Sequence, residues 1–210
     1  MDAFSPLNNS QAIRNFQTGS GQSSSFFLFT DNKRFVLKTV KPSEEKLLFS
    51  KNSGVLKHYF SYVVKNRKNL LSKLLGVYKV KLQMMEEAVT FVIMDSLIGP
   101  EFWRITQLYD LKGSSHKRFT QLTPEQEEKG SGLKTLKCQN FHGIDISERD
   151  RDETLQILEE DSAFLSQLNL IDYSMLLLKI RQLGPGESDE TSEAQALEID
   201  EHGTFQLKRL

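Results

Sequence analysis

Two apolar runs, FFLFT and RFVLKTV, flank a short turn signal at Asp31 and Asn32. The pattern predicts a β-hairpin over residues 24–40, led by the small-residue run Gly19-Ser20-Gly21-Gln22-Ser23-Ser24-Ser25. Within RFVLKTV, Phe35, Leu37 and Thr39 alternate with Val36, Lys38 and Val40, so Lys38 shares a side with two valines that a sheet normally buries. A lysine there needs a partner or an anionic ligand, unless it lies at the sheet rim with only its stem covered.

The pattern then changes period. PSEEK opens a helix, with Ser43 as the expected N-cap and Glu44 or Glu45 able to reach Lys38; residues 44–68 read as one or two helices broken near Asn52, Ser53 and Gly54. LLSKLLGVYKVKLQ and AVTFVIMDSL predict two antiparallel strands, and Gly99-Pro100 marks a hinge. Residues 105–112 predict a further strand and 120–132 a Gln/Glu-rich loop. Over 147–168, Leu155, Leu158, Leu165 and Leu168 recur at helical spacing behind a capping Ser147, which predicts a helix with that face in the core. Asn169 suits its stop, and MLLLKI predicts a buried strand.

Charge alters the picture more than composition does. Residues 1–120 carry 18 Lys and Arg against 9 Asp and Glu, a net +9, whereas residues 121–210 carry 9 against 19, a net −10. A basic half suits an anionic partner such as a nucleotide, an anionic lipid surface or a nucleic acid. It is equally the pattern of a helix with a lysine-rich solvated side. Residues 186–203 hold seven acids and no Lys or Arg, which predicts a disordered acidic insertion or tail. No apolar run approaches the roughly 20 residues of a membrane span, the N-terminus has no signal-peptide pattern, and Cys138 is the single cysteine. These features predict an intracellular protein in a reducing compartment. The four histidines are scattered, which argues against a zinc site.

The densest chemistry lies in YDLKGSSHKR, residues 109–118. Gly113 permits positive φ or close approach to a ligand, and Lys112, Lys117 and Arg118 are residue types that hold phosphate. Asp110, two positions before Lys112, is expected on the same strand face. Asp172, between an apolar helix end and an apolar strand, is either a base or ligand or a cap for backbone N–H groups. A Gly/Ser loop, a strand lysine, a helix glutamate, a basic loop and a late aspartate follow the order of ATP-dependent phosphoryl transfer.

These segments resemble the phosphatidylinositol phosphate kinases over residues 19–181. SSSFFLFTDNKRFVLKTV is similar to that family's Gly/Ser loop and lysine strand, and YDLKGSSHKR and LEEDSAFLSQLNLIDYSMLL resemble its two signature segments. The resemblance implies transfer of the ATP γ-phosphate, with Mg²⁺, to an inositol hydroxyl of a membrane phosphoinositide. It implies that Gly21, Ser23, Ser24, Ser25, Lys38 and Glu44 bind ATP, and that Asp172 orients or deprotonates the hydroxyl. Lys112, Lys117 and Arg118 would hold the substrate phosphate, and Asp110 would order Lys112. DLKGSSHKR looks more like the type I/II and plant forms than the phosphatidylinositol-3-phosphate kinases, which implies formation of the 4,5-bisphosphate from a monophosphate, with the 5-hydroxyl of phosphatidylinositol 4-phosphate as the expected acceptor. TLKCQNF resembles a segment that usually reads Lys-Asp, so Cys138 stands where an acid is expected. The family's later Ile-Ile-Asp metal motif and activation loop have no match, and Ile199-Asp200 lies in the acidic tail, so the metal ligand stays unassigned.

The expected fold is α+β and two-lobed, lipid-kinase-like, with an antiparallel sheet and helices over residues 1–98, a partial second lobe over 99–183 and the acidic segment over 184–210. The expected location is cytoplasmic, peripheral at the inner face of the plasma membrane through the basic face. The rival reading is a catalytically incomplete phosphoinositide-binding or regulatory relative. A nucleic-acid binder ranks last, because no aromatic stacking platform accompanies the basic residues.

Overall fold

The two early apolar runs do pair with each other. In the computed structural model, which describes residues 17–18, 26–30, 32–50, 54–81, 83, 87–97, 103–128 and 134–182, they form strands β2 (Phe26–Phe29) and β3 (Phe35–Val40). With β1 (Gln17–Thr18), β4 (Leu74–Val80) and β5 (Val89–Asp95) they build an antiparallel sheet of order β1-β2-β3-β5-β4. The register aligns Phe27, Lys38, Val92 and Val77 in one cross-strand row, and Val36, Met94 and Leu74 in another. Phe27, Val36, Leu74, Val92 and Met94 are buried, so the face carrying Lys38 is the core face.

Helices α1 (Pro42–Phe49) and α2 (Val55–Lys65) cover that face through Leu48, Val55 and Tyr59. The break expected near residue 54 is real: Gly54 adopts φ +51° just before α2. The cap of α1 differs from expectation. Lys41 takes the cap position and Ser43 lies inside the helix, because Pro42 occupies N1, where its fixed φ suits a helix start and its missing N–H costs nothing. Glu44 Oε2 accepts the Lys41 N–H at 2.9 Å. The loop expected over 120–132 contains a short helix, α3 (Pro124–Glu128). Gln126 Oε1 accepts the Thr123 N–H at 3.0 Å and Thr123 Oγ1 accepts the Gln126 N–H at 3.4 Å, a reciprocal capping pair that the Thr-Pro-Glu-Gln string encodes.

Helix α4 (Glu148–Gln167) is capped as expected, with Ser147 Oγ accepting the Asp150 N–H at 3.2 Å. Leu165 is buried, with Ile157, Leu158, Phe164 and Leu168 partly buried against the first core, whereas Leu155 is 57% exposed and outside it. Asn169, at φ +54°, ends the helix.

The second sheet is small and mixed, of order β7-β6-β8, with β6 (Trp103–Leu111) parallel to β7 (Thr135–Leu136) and antiparallel to β8 (Met175–Gln182). Tyr109, Leu136 and Leu177 form its core with Leu111, Leu122, Phe141 and Ile144. MLLLKI was expected to be a buried strand, yet only Leu177 of β8 is buried. Among the described residues β8 pairs with β6 alone, so it is an edge strand. The fold class is α+β. The expected Gly/Ser loop, the hinge at Gly99-Pro100 and the acidic tail lie outside the described residues. No helix among the described residues is long and apolar enough to cross a membrane.

Candidate active site

Strand β3 delivers Lys38 to the core face, with its side chain only 12% exposed. It pairs with Glu44 Oε1 on the first turn of α1, at 3.8 Å, and its Nζ lies 5.8 Å from the centroid of the Phe27 ring. Burial pulls the ammonium below the ordinary lysine range, Glu44 opposes that shift, and Lys41 adds to it. Glu45, the other glutamate that could have reached Lys38, is committed elsewhere: it accepts from Lys79 Nζ at 2.7 Å and Thr90 Oγ1 at 2.9 Å. A buried cation whose ion pair with Glu44 lies near the outer limit of ion-pair distance is a site where a polyanion gains strongly, because desolvation has already been met by the fold.

The second cluster sits where β6 ends. Lys112 Nζ meets Asp172 Oδ1 at 2.6 Å, with the lysine side chain 10% exposed and the aspartate 51% exposed. One carboxylate oxygen is thus pinned by an ammonium on a side chain half open to solvent. Such a group can accept a hydrogen bond from a hydroxyl and orient it. Asp172 holds φ +62°, Lys117 φ +54° and Gly113 φ +65°, so the backbone at both ends of the cluster is in the left-handed region. Three such positions around one ion pair define a locally over-determined site. Gly113 through Lys117 are exposed. On either side of Asp172 in sequence, Leu170 and Tyr173 pack against the core that the Lys38 strand covers, which joins this segment to the first sheet.

Asp110 and Arg118 behave differently from Lys112. Arg118 Nη2 donates to Asp110 Oδ2 at 2.7 Å and to the Asp110 carbonyl, and both side chains are 9% exposed. Asp110 therefore braces Arg118, while Lys112, just past the end of β6, turns to Asp172. Arg118 is enclosed beneath the loop, and Lys112 and Lys117 are the cations of this stretch beside solvent-exposed backbone. The alternation argument placed Asp110 and Lys112 on one face, but it fails because β6 stops at Leu111 and the chain then turns through Gly113. Cys138, whose role the sequence alone leaves unassigned, belongs to the same cluster. Its Sγ accepts the Lys112 backbone N–H at 3.1 Å. The signal available was its place opening a KCQN turn. Among the described residues no three His, Cys, Asp or Glu side chains gather as a metal site. The described part therefore offers no Mg²⁺ cage.

Comparison with known proteins settles the lineage. Residues 7–208 match the sequence pattern of a family described as Phosphatidylinositol-4-phosphate 5-Kinase. The chain belongs to that family. It is 34% identical over 174 residues to phosphatidylinositol 4-phosphate 5-kinase 7 of Arabidopsis thaliana, covering 82% of this chain and 22% of that one. It is 33% identical over 157 residues to phosphatidylinositol 4-phosphate 5-kinase 1 of the same plant, covering 75% and 20%. A human relative, phosphatidylinositol 4-phosphate 5-kinase-like protein 1, is 34% identical over 179 residues, covering 82% and 43%. The chain spans about a fifth of the length of these plant kinases and under half of the human relative.

Proposed function

We propose that this member of the phosphatidylinositol-4-phosphate 5-kinase family transfers the ATP γ-phosphate to an inositol hydroxyl of a phosphatidylinositol monophosphate, with the 5-hydroxyl of phosphatidylinositol 4-phosphate as the favoured acceptor. The observation that carries the reading is the Lys112–Asp172 ion pair, which joins the two signature segments at 2.6 Å. In this reading the chain has two lobes on the lipid-kinase plan, divided near residue 98, with the acidic segment beyond 183 outside both.

ATP supplies the transferable phosphoryl group and Mg²⁺ the neutralising charge when bound. Lys38 neutralises phosphate charge from the core face, with Glu44 keeping its ammonium protonated and aimed. Gly21, Ser23, Ser24 and Ser25 are the proposed contacts to the ATP phosphates. Asp172 orients the acceptor hydroxyl and takes up its proton. Lys112 holds that carboxylate in place and, with Lys117, faces the phosphate already on the inositol ring. Arg118, held by Asp110, stiffens the loop that presents them. The basic residues of the first 120 positions favour a peripheral contact with the anionic cytoplasmic face of the plasma membrane.

Label transfer from ATP to vesicles carrying phosphatidylinositol 4-phosphate, in the presence of Mg²⁺, tests this. Product that disappears in Lys38→Ala and Asp172→Asn supports the kinase reading. Vesicle binding without product, unchanged by Asp172→Asn, overturns it in favour of a lipid-binding relative.

A further inference from the structure

Strand β6 turns Asp110 toward Arg118 on one face, and its other face opens onto a separate cleft. Gln107 and Tyr109 of β6 line it, together with Lys179 of β8, the cross-strand partner of Gln107. Phe119, Leu122 and the 139–143 turn complete the walls around a space of about 420 Å³, which is the size of a small-molecule site. Bonding anchors those walls to the sheet. Asn140 Oδ1 accepts the Thr120 N–H at 2.8 Å, Asn140 Nδ2 donates to the Thr120 carbonyl at 2.9 Å, and Thr120 Oγ1 donates to the Thr135 carbonyl of β7 at 2.8 Å. Phe141 meets Tyr109 edge-on, with ring centroids 5.4 Å apart.

The lining selects the kind of ligand. No Asp or Glu belongs to it, and among the described residues neither Lys179 nor His142 has an ion pair. Lys179 Nζ stands 5.9 Å from the centroid of the Tyr109 ring. Tyr109 donates its hydroxyl to Gln107 Oε1 at 3.0 Å, which leaves the Gln107 amide nitrogen as a donor. Asn140 has both side-chain groups engaged with Thr120, so Lys179 and Gln107 give the sheet side of the cleft positive charge and free N–H groups. Apolar surface comes from Leu122, buried Leu136 and Phe119, whose ring is 59% exposed. Donors beside an open aromatic ring, with no acid among them, suit an anion carried on a flat apolar body.

We propose that this cleft is a binding site for a small aromatic anion, of which an aromatic carboxylate is the simplest case. The anionic group sits at Lys179 and Gln107, and the ring lies against Phe119 and Leu122. The site has a direct connection to the basic stretch. Gln139, another lining residue, donates its N–H to the Arg118 carbonyl at 2.9 Å and its Nε2 to the Ser115 carbonyl at 2.6 Å. A bound anion therefore touches a residue that holds the 112–118 loop. Any effect on lipid phosphorylation rests on the function proposed above; the binding does not.

The test compares two probes on the full 210-residue chain: anilinonaphthalene sulfonate, and phenyl naphthylamine, which has the same rings without the charge. Each is titrated while the amide NMR signals of Gln107, Tyr109, Phe119 and Lys179 are followed, so that affinity is read at the cleft itself. The sulfonate is expected to bind there about fivefold or more tightly than the neutral probe. Lys179→Met should erase that preference, and Phe119→Ala should weaken both probes. Both side chains are exposed, so neither change removes core packing. Equal affinity of wild type for the two probes overturns the proposal. So do sulfonate-induced shifts that leave the cleft signals unmoved and centre on Lys38 or Lys112 instead. If a variant does not fold, the two-probe comparison on wild type still decides. A chain that binds the sulfonate in the cleft yet transfers no label to phosphatidylinositol 4-phosphate vesicles counts against the proposed function and supports the site.

Discussion

Tyr62 donates its hydroxyl to Asp161 Oδ1 at 2.7 Å across 99 positions of sequence, and Asp161 Oδ2 accepts the Leu70 N–H at 2.7 Å. Asp161 is 1% exposed and Tyr62 stacks on Phe164 at 4.0 Å, so one carboxylate ties α4, α2 and the approach to β4 together. Asp161→Ala would leave a buried N–H and a phenol unpaired. It is expected to cost about 3 kcal/mol, and Tyr62→Phe about 1 to 2 kcal/mol, in urea unfolding.

The same residue gives a pH signature of unusual sign. Burial raises the Asp161 carboxyl above its ordinary range, against the bonds from Tyr62 and Leu70. Because the folded value exceeds the unfolded one of about 3.9, the folded chain binds the extra proton. This group's contribution is complete below about pH 4 and is lost as pH rises through the folded value. The stability gap between wild type and Asp161→Asn should therefore be widest in mild acid and narrow toward neutrality.

Lys38 is expected to oppose stability while serving function. Burial works against the Lys38 ammonium and Glu44 at 3.8 Å opposes that only in part, so Lys38→Met should leave stability unchanged or raise it by about 1 kcal/mol. The same variant should lose nucleotide binding, measured by calorimetry with Mg-ATP. A large loss of stability would show that Lys38 is structural instead.

Asp172→Asn removes the partner of Lys112 without changing volume. Turnover is expected to fall by about 10²- to 10⁴-fold. Binding to anionic vesicles should stay equal or tighten, since one negative charge is gone. Lys112→Ala should weaken vesicle binding and flatten its salt dependence.

Gly113 separates backbone need from space. A Cβ built there meets nothing within 4 Å, so Gly113→Ala would suffer only from φ +65°, a cost of about 1 kcal/mol. Asn, which tolerates that region, should recover much of the loss. Equal behaviour of Ala and Asn in thermal melts would point to a different use of the glycine.

The legible parts of this chain were those fixed by local chemistry. Alternation in RFVLKTV placed Lys38 on the buried side, and Ser147 and Asn169 bounded α4, because each rule acts over a few residues. The pairings within the site were less legible. Asp110 and Lys112 are neighbours in sequence, yet the end of β6 and the turn at Gly113 send them to different partners 8 and 60 positions away. Leu155 has the spacing of a core residue but lies beyond the reach of the first sheet, and β8 has the composition of a central strand but an edge position. Periodicity defines a face; what covers that face is decided by chain that lies far off.

Leu165 completes the core that Phe27, Val36 and Val92 begin. During synthesis the first sheet can form its hydrogen bonds and meet α1 and α2 as soon as β5 emerges, but the part of its core that Leu165 closes waits some seventy residues, about 4 to 14 seconds at ordinary elongation rates, for α4 to leave the ribosome. For that interval the nascent chain leaves the apolar part that α4 will cover open, and chaperones that recognise such surfaces have a defined window in which to act.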